Sequence, residues 1–215
     1  MLLLVVAALV VGAGCSQSRP LAYTTQTPIL PAPDEPAEVV LAPVPPAGPV
    51  TFTGTAFNLH TAGRVAPAAS DAAWAGVLET LNRYLEAAVL QPLRSGGPAG
   101  DLTPLFTSPA VQRVMAVGPD RVAFIDENLP PVSDLRQEAA VVELNGLAGP
   151  DGALSVVTAD LDLRLIGHAG GARVKVVRTG ELVLVPQGGS WRIDAYDIRV
   201  TRAVGENTAT TTVRS

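Results

Sequence analysis

Cysteine is almost missing from this chain: Cys15 is the only one in 215 residues. No disulfide can form within the chain, which excludes a stapled scaffold. Lysine is as scarce, Lys175 being the only one among 15 basic residues, and the formal net charge is −5. Without a basic cluster or stripe, nucleic acid is not an expected partner, and charge-driven docking on anionic lipid is disfavoured. Aromatics make up 4% and histidines number two. The chain has no Gly-x-Ser-x-Gly elbow, Walker loop, dinucleotide fingerprint or metal-spaced His/Cys cluster. No catalytic residue, metal or cofactor is therefore assigned. What the chain does have is 20 glycines and 19 prolines beside 47% hydrophobic residues, the mark of an ordered core joined to a proline-rich segment. With arginine supplying nearly all the basic charge, the composition fits a bacterial gene rich in G and C.

The first run, MLLLVVAALVVGAG, is apolar and ends at Cys15. As a helix its 14 residues rise about 21 Å, short of the ~30 Å hydrocarbon core, so it reads as a signal-peptide apolar region rather than a stable span. Ala13 and Gly14 directly before Cys15 resemble the lipobox of bacterial lipoproteins. That resemblance implies a thiol acylated with diacylglycerol, a cleaved leader (1–15), and a domain held at the extracytoplasmic face of the cell membrane. Two features depart from the pattern: Gly12 stands where the family prefers Leu, and no Lys or Arg precedes the apolar run. The alternatives are an uncleaved membrane anchor with an incidental cysteine, or a cytosolic chain.

Residues 16–49 hold nine prolines in 34 positions. Such a segment cannot bury enough apolar surface to offset its ordering entropy and favours extended polyproline conformations. At about 3.1 Å per residue it would reach roughly 100 Å as a spacer.

The domain is expected over 50–204, with 205–215 a frayed, Thr-rich tail. Val50 to Ala66 reads as an extended arm, with Val50, Phe52 and Gly54 alternating as in an edge strand. Ser70 or Asp71 is a credible N-cap for a helix whose Trp74, Val77, Leu78, Leu81, Leu85, Ala88 and Val89 share one face. Pro92 and Gly96-Gly97 would stop it near Gln91. Asp101 and Ser108 are candidate caps for two shorter helical turns, and Pro119 to Asn128 suggests another. Four long strands follow: 138–147, 154–166, 173–185 and 191–202, joined by Gly-rich turns. Leu161, Leu163 and Leu165 alternate with Asp160, Asp162 and Arg164, so one face is buried and the other wet. Asp160, Asp162, Arg173 and Lys175 are expected to form cross-strand charge pairs on the wet face. Trp191 and Ile193 have one parity, Ile198 and Val200 the other, and a β-bulge near Ala195-Tyr196 would reconcile them.

A long amphipathic helix, shorter helices and an antiparallel meander ending in GSWRIDAYDIRV resemble the nuclear-transport-factor-two-like superfamily, over about 70–202. The closest likeness is to actinobacterial-type envelope proteins of that superfamily, and the hairpin GELVLVPQGGSWRIDAYDI carries it. The resemblance implies an α+β fold: a curled four-stranded antiparallel sheet wrapped, cone-like, around the first helix. Many functions share that architecture. Enzymes of the superfamily, such as ketosteroid isomerase and scytalone dehydratase, place an Asp, a Tyr or a His inside the cone. Here His168 sits in a Gly-rich turn and His60 in the arm, away from such an interior. Arg178 has the parity of Val174, Val176, Leu182 and Leu184, so an unbulged strand points it at the apolar face, where a charge needs a partner or an anion. A bulge at Val176-Val177, or a place at the rim, would instead leave it wet. Tyr84 and Tyr196 could lend hydroxyls to the same mouth, or could be edges of the core. Arg178, Tyr196 and Tyr84 are thus the candidate pocket residues and Cys15 the candidate lipidation site. The expected function is non-catalytic: a lipoprotein binding or scaffolding an envelope protein or a small apolar ligand. The alternative is an isomerase- or dehydratase-like enzyme using the cone pocket.

Overall fold

The computed structural model describes residues 49–61, 65–127 and 129–215. Cys15, the apolar leader and nearly all of the proline-rich spacer lie outside them. No helix among the described residues is long and apolar enough to cross a membrane.

The fold is α+β, with a mixed sheet of six strands in the linear order β1-β2-β3-β4-β5-β6. The strands are β1 (Thr53–Thr61), β2 (Ser133–Ala148), β3 (Leu154–Ala169), β4 (Ala172–Gln187), β5 (Ser190–Val204) and β6 (Asn207–Arg214). This corrects the expected four antiparallel strands at both edges. The Val50–Ala66 arm supplies β1, which pairs parallel to β2. The connectivity allows parallel pairing: among the described residues the helices lie between β1 and β2, the long crossover that parallel neighbours need. The tail expected to fray instead pairs antiparallel to β5. Its β-branched Thr208, Thr210, Thr211, Thr212 and Val213 suit a strand, and Ser215 closes it through Ser215 N–H to Tyr196 O at 2.8 Å.

The central meander follows the expected order with longer strands. Gly170-Gly171 (φ 57° and 83°) and Gly188-Gly189 (φ 62° and 79°) form two-residue turns, the geometry whose twist matches paired strands and that demands positive φ. Leu161, Leu163, Leu165, Val176, Leu182, Leu184, Ile193, Ile198 and Val200 are buried on the inner face. The register of β4 with β5 shifts between Val183 and Leu184, leaving Asp194 as the extra residue between Ile193 and Ala195. The bulge therefore exists one position before its expected place.

Among the described residues five helical segments pack on the inner face or flank it. They are α1 (Pro67–Tyr84), a π-helical turn (Leu85–Leu90), α2 (Gln91–Ser95), α3 (Ser108–Met115) and α4 (Pro119–Phe124). The first helix starts earlier than expected. Ala66 is its N-cap, with Pro67 in the first turn, and no side chain caps it, because proline's fixed φ is already suited to a helix start. Nor does Pro92 stop it: the chain stays helical to Ser95 and ends at Gly96 in the left-handed region (φ 66°). Asp101 caps a turn rather than a helix, accepting from Thr103 N–H at 2.9 Å, and Thr107, not Ser108, precedes α3. Trp74, Val77, Leu81, Tyr84 and Leu85 are buried. Thr80 Oγ1 donates to Trp191 O at 3.0 Å, tying α1 to β5.

Candidate functional site

The π-helical turn creates the site. Gln91 N–H bonds back five residues to Glu86 O, and Pro92 has no N–H to offer Ala88 O. The carbonyls of Ala87 and Ala88 are thereby released from the helix ladder. Each finds another donor, Gly100 N–H on Ala87 O at 2.8 Å and Asp126 N–H on Ala88 O at 2.9 Å. The second bond places Asp126 in the interior, fully buried.

Two arginines meet it there. Arg178 Nη2 donates to Asp126 Oδ2 at 3.1 Å and Arg202 Nε to Asp126 Oδ1 at 2.5 Å. Arg178 and Asp126 are wholly buried, and the Arg202 side chain is 13% exposed. The end of α4 is gripped by the same groups, residue by residue. Arg178 Nη2 donates to Ala123 O at 2.9 Å, Tyr84 Oη to Phe124 O at 3.1 Å, and Arg202 Nη2 to Ile125 O at 3.4 Å. A helix end leaves such carbonyls without intrahelical donors, so buried donors aimed at three in succession hold the segment by its backbone. Tyr84 also puts its ring under the Arg178 guanidinium, 5.7 Å from ring centroid to Cζ. Burial pushes the Tyr84 hydroxyl up to about 12 against the opposing pull of Arg178.

The side chain of Phe124 fills the space beside this cluster. Its ring lies 5.8 Å from Tyr84, 5.6 Å from Phe106 and 4.5 Å from Tyr196, all edge-on, the arrangement aromatic quadrupoles favour. Tyr196 is buried too; its hydroxyl accepts from Arg113 Nε at 3.4 Å, and burial is the main force raising its pKa. The three pocket residues expected from the sequence are thus brought around one feature, the end of α4. Arg178 does point inward, since β3 and β4 pair without a register shift through Val176-Val177. The rim and bulge alternatives are not what the strand adopts. His60 and His168 are exposed.

Sequence reasoning missed Asp126, Arg202 and Phe124. Arg202 had a legible signal: after the bulge it has the parity of Ile198 and Val200, the same test that singled out Arg178. Asp126 had none, because its placement depends on a carbonyl released by Pro92, 34 positions away by number.

The outer face differs. Glu143 pairs with Asp160, Asp160 with Glu181, and Glu181 with Asp197, a row of carboxylates across β2 to β5. Among the described residues only its end is neutralised, by Arg214 Nε on Asp197 Oδ2 at 2.6 Å. Burial and then Glu143 hold the Asp160 carboxyl above its usual range. A groove of about 350 Å³ follows the row, lined by Asp160, Thr179, Gly180, Glu181, Asp197 and Arg199. The expected cross-strand pairing of charges holds for Arg173 and Lys175, while Asp162 pairs within its own strand. Asp162 takes a bidentate bond from Arg164 at 2.8 and 2.9 Å, while Arg173 and Lys175 both face Glu138, at 3.5 and 3.7 Å. Asp160 instead faces other acids. Among the described residues no group of His, Cys, Asp and Glu has a geometry that could hold a metal ion. Comparison with family models, with curated proteins and with solved structures gives no match.

Proposed function

We propose that this protein is a lipid-tethered, non-catalytic binding protein of the cell envelope. In this reading Cys15 bears the lipid anchor and residues 16–49 are the spacer. The α+β domain, a curled, cone-like sheet of the nuclear-transport-factor-two-like kind extended by an added strand at each edge, binds an envelope protein or a small apolar ligand. One observation above others supports the binding reading: most polar groups of the inner face are engaged with the chain itself, and two nitrogens of the buried Arg178 are left without a partner among the described residues. Tyr84, Arg178, Arg202 and Asp126 bond one another or the carbonyls at the end of α4, an arrangement suited to holding a segment. General acid–base catalysis asks for a group within hydrogen-bond reach of a substrate proton, and Phe124 occupies the space beside these groups.

Two measurements test the proposal. Incorporation of a clickable palmitate analogue should be strong in the natural chain and lost in Cys15→Ala; equal labelling of both would overturn the anchor. Protein extracted from membranes should also hold a stoichiometric protein partner or apolar molecule, identified by mass spectrometry. Recovery of bare monomer would overturn the binding half.

A further inference from the structure

The inner-face cluster is incompletely satisfied, and its deficit is specific. Two guanidinium groups share a single carboxylate, so the interior has a formal excess of one positive charge. Arg178 is fully buried, yet its Nε and Nη1 have no hydrogen-bond partner among the described residues. Charged donors without acceptors are among the least tolerated groups in a protein interior. The seat is therefore built for more anionic oxygen than Asp126 alone provides.

The segment covering the seat, Pro119–Glu127, buries Ala123, Phe124 and Ile125 and is tied down beside them by polar contacts. Arg121 binds Glu127 through Nε at 2.6 Å and Nη2 at 2.8 Å, and donates from Nη1 to Met115 O at 3.1 Å. At its start stands Gly118, around whose Cβ position nothing lies within 4 Å. Apolar residues in the segment and before it face solvent: Val117 is fully exposed, Val122 is 51% and Met115 45% exposed. Beneath the segment lie the cationic seat and the rings of Tyr84, Phe106 and Tyr196.

We propose that Pro119–Glu127 is a displaceable strap that imitates a ligand, Asp126 standing for an anionic head and Phe124 for an apolar body. The ligand class is then an anionic amphiphile, with a carboxylate or phosphate head on Arg178 and Arg202 and a hydrocarbon body among Tyr84, Phe106 and Tyr196. Such a head brings two or more oxygens and can satisfy the guanidinium nitrogens that the single Asp126 side chain leaves empty. This inference rests on the ligand-binding reading above and names its ligand. If the closed strap dominates, the observed affinity is the intrinsic one reduced by the open fraction, so loosening the strap must tighten binding.

The test uses the full chain with Cys15→Ala, titrated with oleate, with oleyl alcohol as the uncharged comparison, and with phosphatidic-acid vesicles. Glu127→Gln releases Arg121 without touching the seat and is expected to tighten oleate binding roughly five- to tenfold through the larger open fraction. Asp126→Asn should do the same where circular dichroism shows it folded. Arg178→Gln should abolish binding, and oleyl alcohol should bind roughly tenfold more weakly, the head having lost its charge-assisted bonds. Binding of dissolved oleate identifies a free acid as the source. Binding to vesicles alone, lost in Arg178→Gln, identifies a bilayer lipid. The strap is overturned if neither probe binds, if Glu127→Gln binds no more tightly than its parent, or if oleyl alcohol matches oleate. A partner protein recovered with a chain that binds neither probe would overturn the strap and leave the broader binding reading standing.

Discussion

The two faces of one sheet carry opposite charge excesses under opposite conditions. Inside, Arg178 and Arg202 share Asp126, and the remaining polar contacts go to named carbonyls at the end of α4. Outside, Glu143, Asp160, Glu181 and Asp197 stand side by side with one arginine at the end of the row. Water and salt screen the outer row, whereas nothing screens the inner cluster except its partners. The number of like charges is thus a poor guide to cost; their access to solvent decides it.

Removing one charge from each face gives the sharpest contrast. Asp126→Ala leaves two cations facing each other in the interior and should cost about 3–5 kcal/mol, the loss typical of a broken buried pair. Urea denaturation measures it. A loss below about 1 kcal/mol, the value of an exposed pair, would mean that the inner cluster is as well screened as the outer row.

Titration separates the faces next. The Tyr84 hydroxyl is raised from 10.0 to about 12, first by burial. Above pH 10 the unfolded chain therefore releases a proton that the native state keeps, so stability falls as pH rises from 10 and levels off near 12. Two units at about 1.4 kcal/mol each amount to about 3 kcal/mol. Tyr84→Phe should abolish that alkaline limb, while costing about 1–3 kcal/mol at pH 7 because Phe124 O loses its donor. An unchanged limb in the phenylalanine variant would assign the titration elsewhere.

Between the faces lies Gly180, at φ 132° in the middle of β4. A Cβ there would overlap the carbonyl oxygen of Asp197 on β5. Gly180→Ala should cost about 2–3 kcal/mol from strain and clash, with the loss in chemical denaturation matched by faster amide exchange at Asp197 and Ile198. A neutral substitution would show that β4 and β5 can separate at this level.

These residues also show what the sequence could tell. Period-two alternation identified the buried faces of β3, β4 and β5, because a strand with one wet side has to alternate. The same parity argument found Arg178. The edges were not legible: β1 and β6 are short, polar and mostly exposed, and their threonines fit an exposed strand as well as a loop. Pro92 was misleading for a definite reason. The π-turn before it and its own missing N–H free the carbonyls of Ala87 and Ala88, and Gly100 N–H and Asp126 N–H take them up, so the helix continues. Asp126 was hidden because the carbonyl that places it becomes free only through that same local irregularity. Acids alternating on a wet face read from sequence as partners of neighbouring bases, and only the strand register shows Asp160 opposite Glu143 and Glu181.

The acidic row supplies the smallest effect and a sign opposite to the interior's. Glu181 lies directly between Asp160 and Asp197, and like charges facing each other across strands are destabilising by a few tenths of a kcal/mol. Glu181→Gln should therefore stabilise the protein by about 0.2–0.5 kcal/mol at low salt, and the gain should vanish near 1 M salt, where the screening length falls to about 3 Å. Asp160 adds a pH signature. Its native carboxyl is held above the usual range, so the native state binds that proton more tightly than the unfolded chain does. The charged form costs stability at neutral pH, and the cost is relieved as pH falls through the raised value, the reverse of an acid in an ion pair. Asp160→Asn should remove that acid-side gain. If the Glu181→Gln effect were the same in 10 mM and 1 M salt, the row would act through packing rather than charge, and the contrast with the Asp126 cluster would be one of shape instead of solvent.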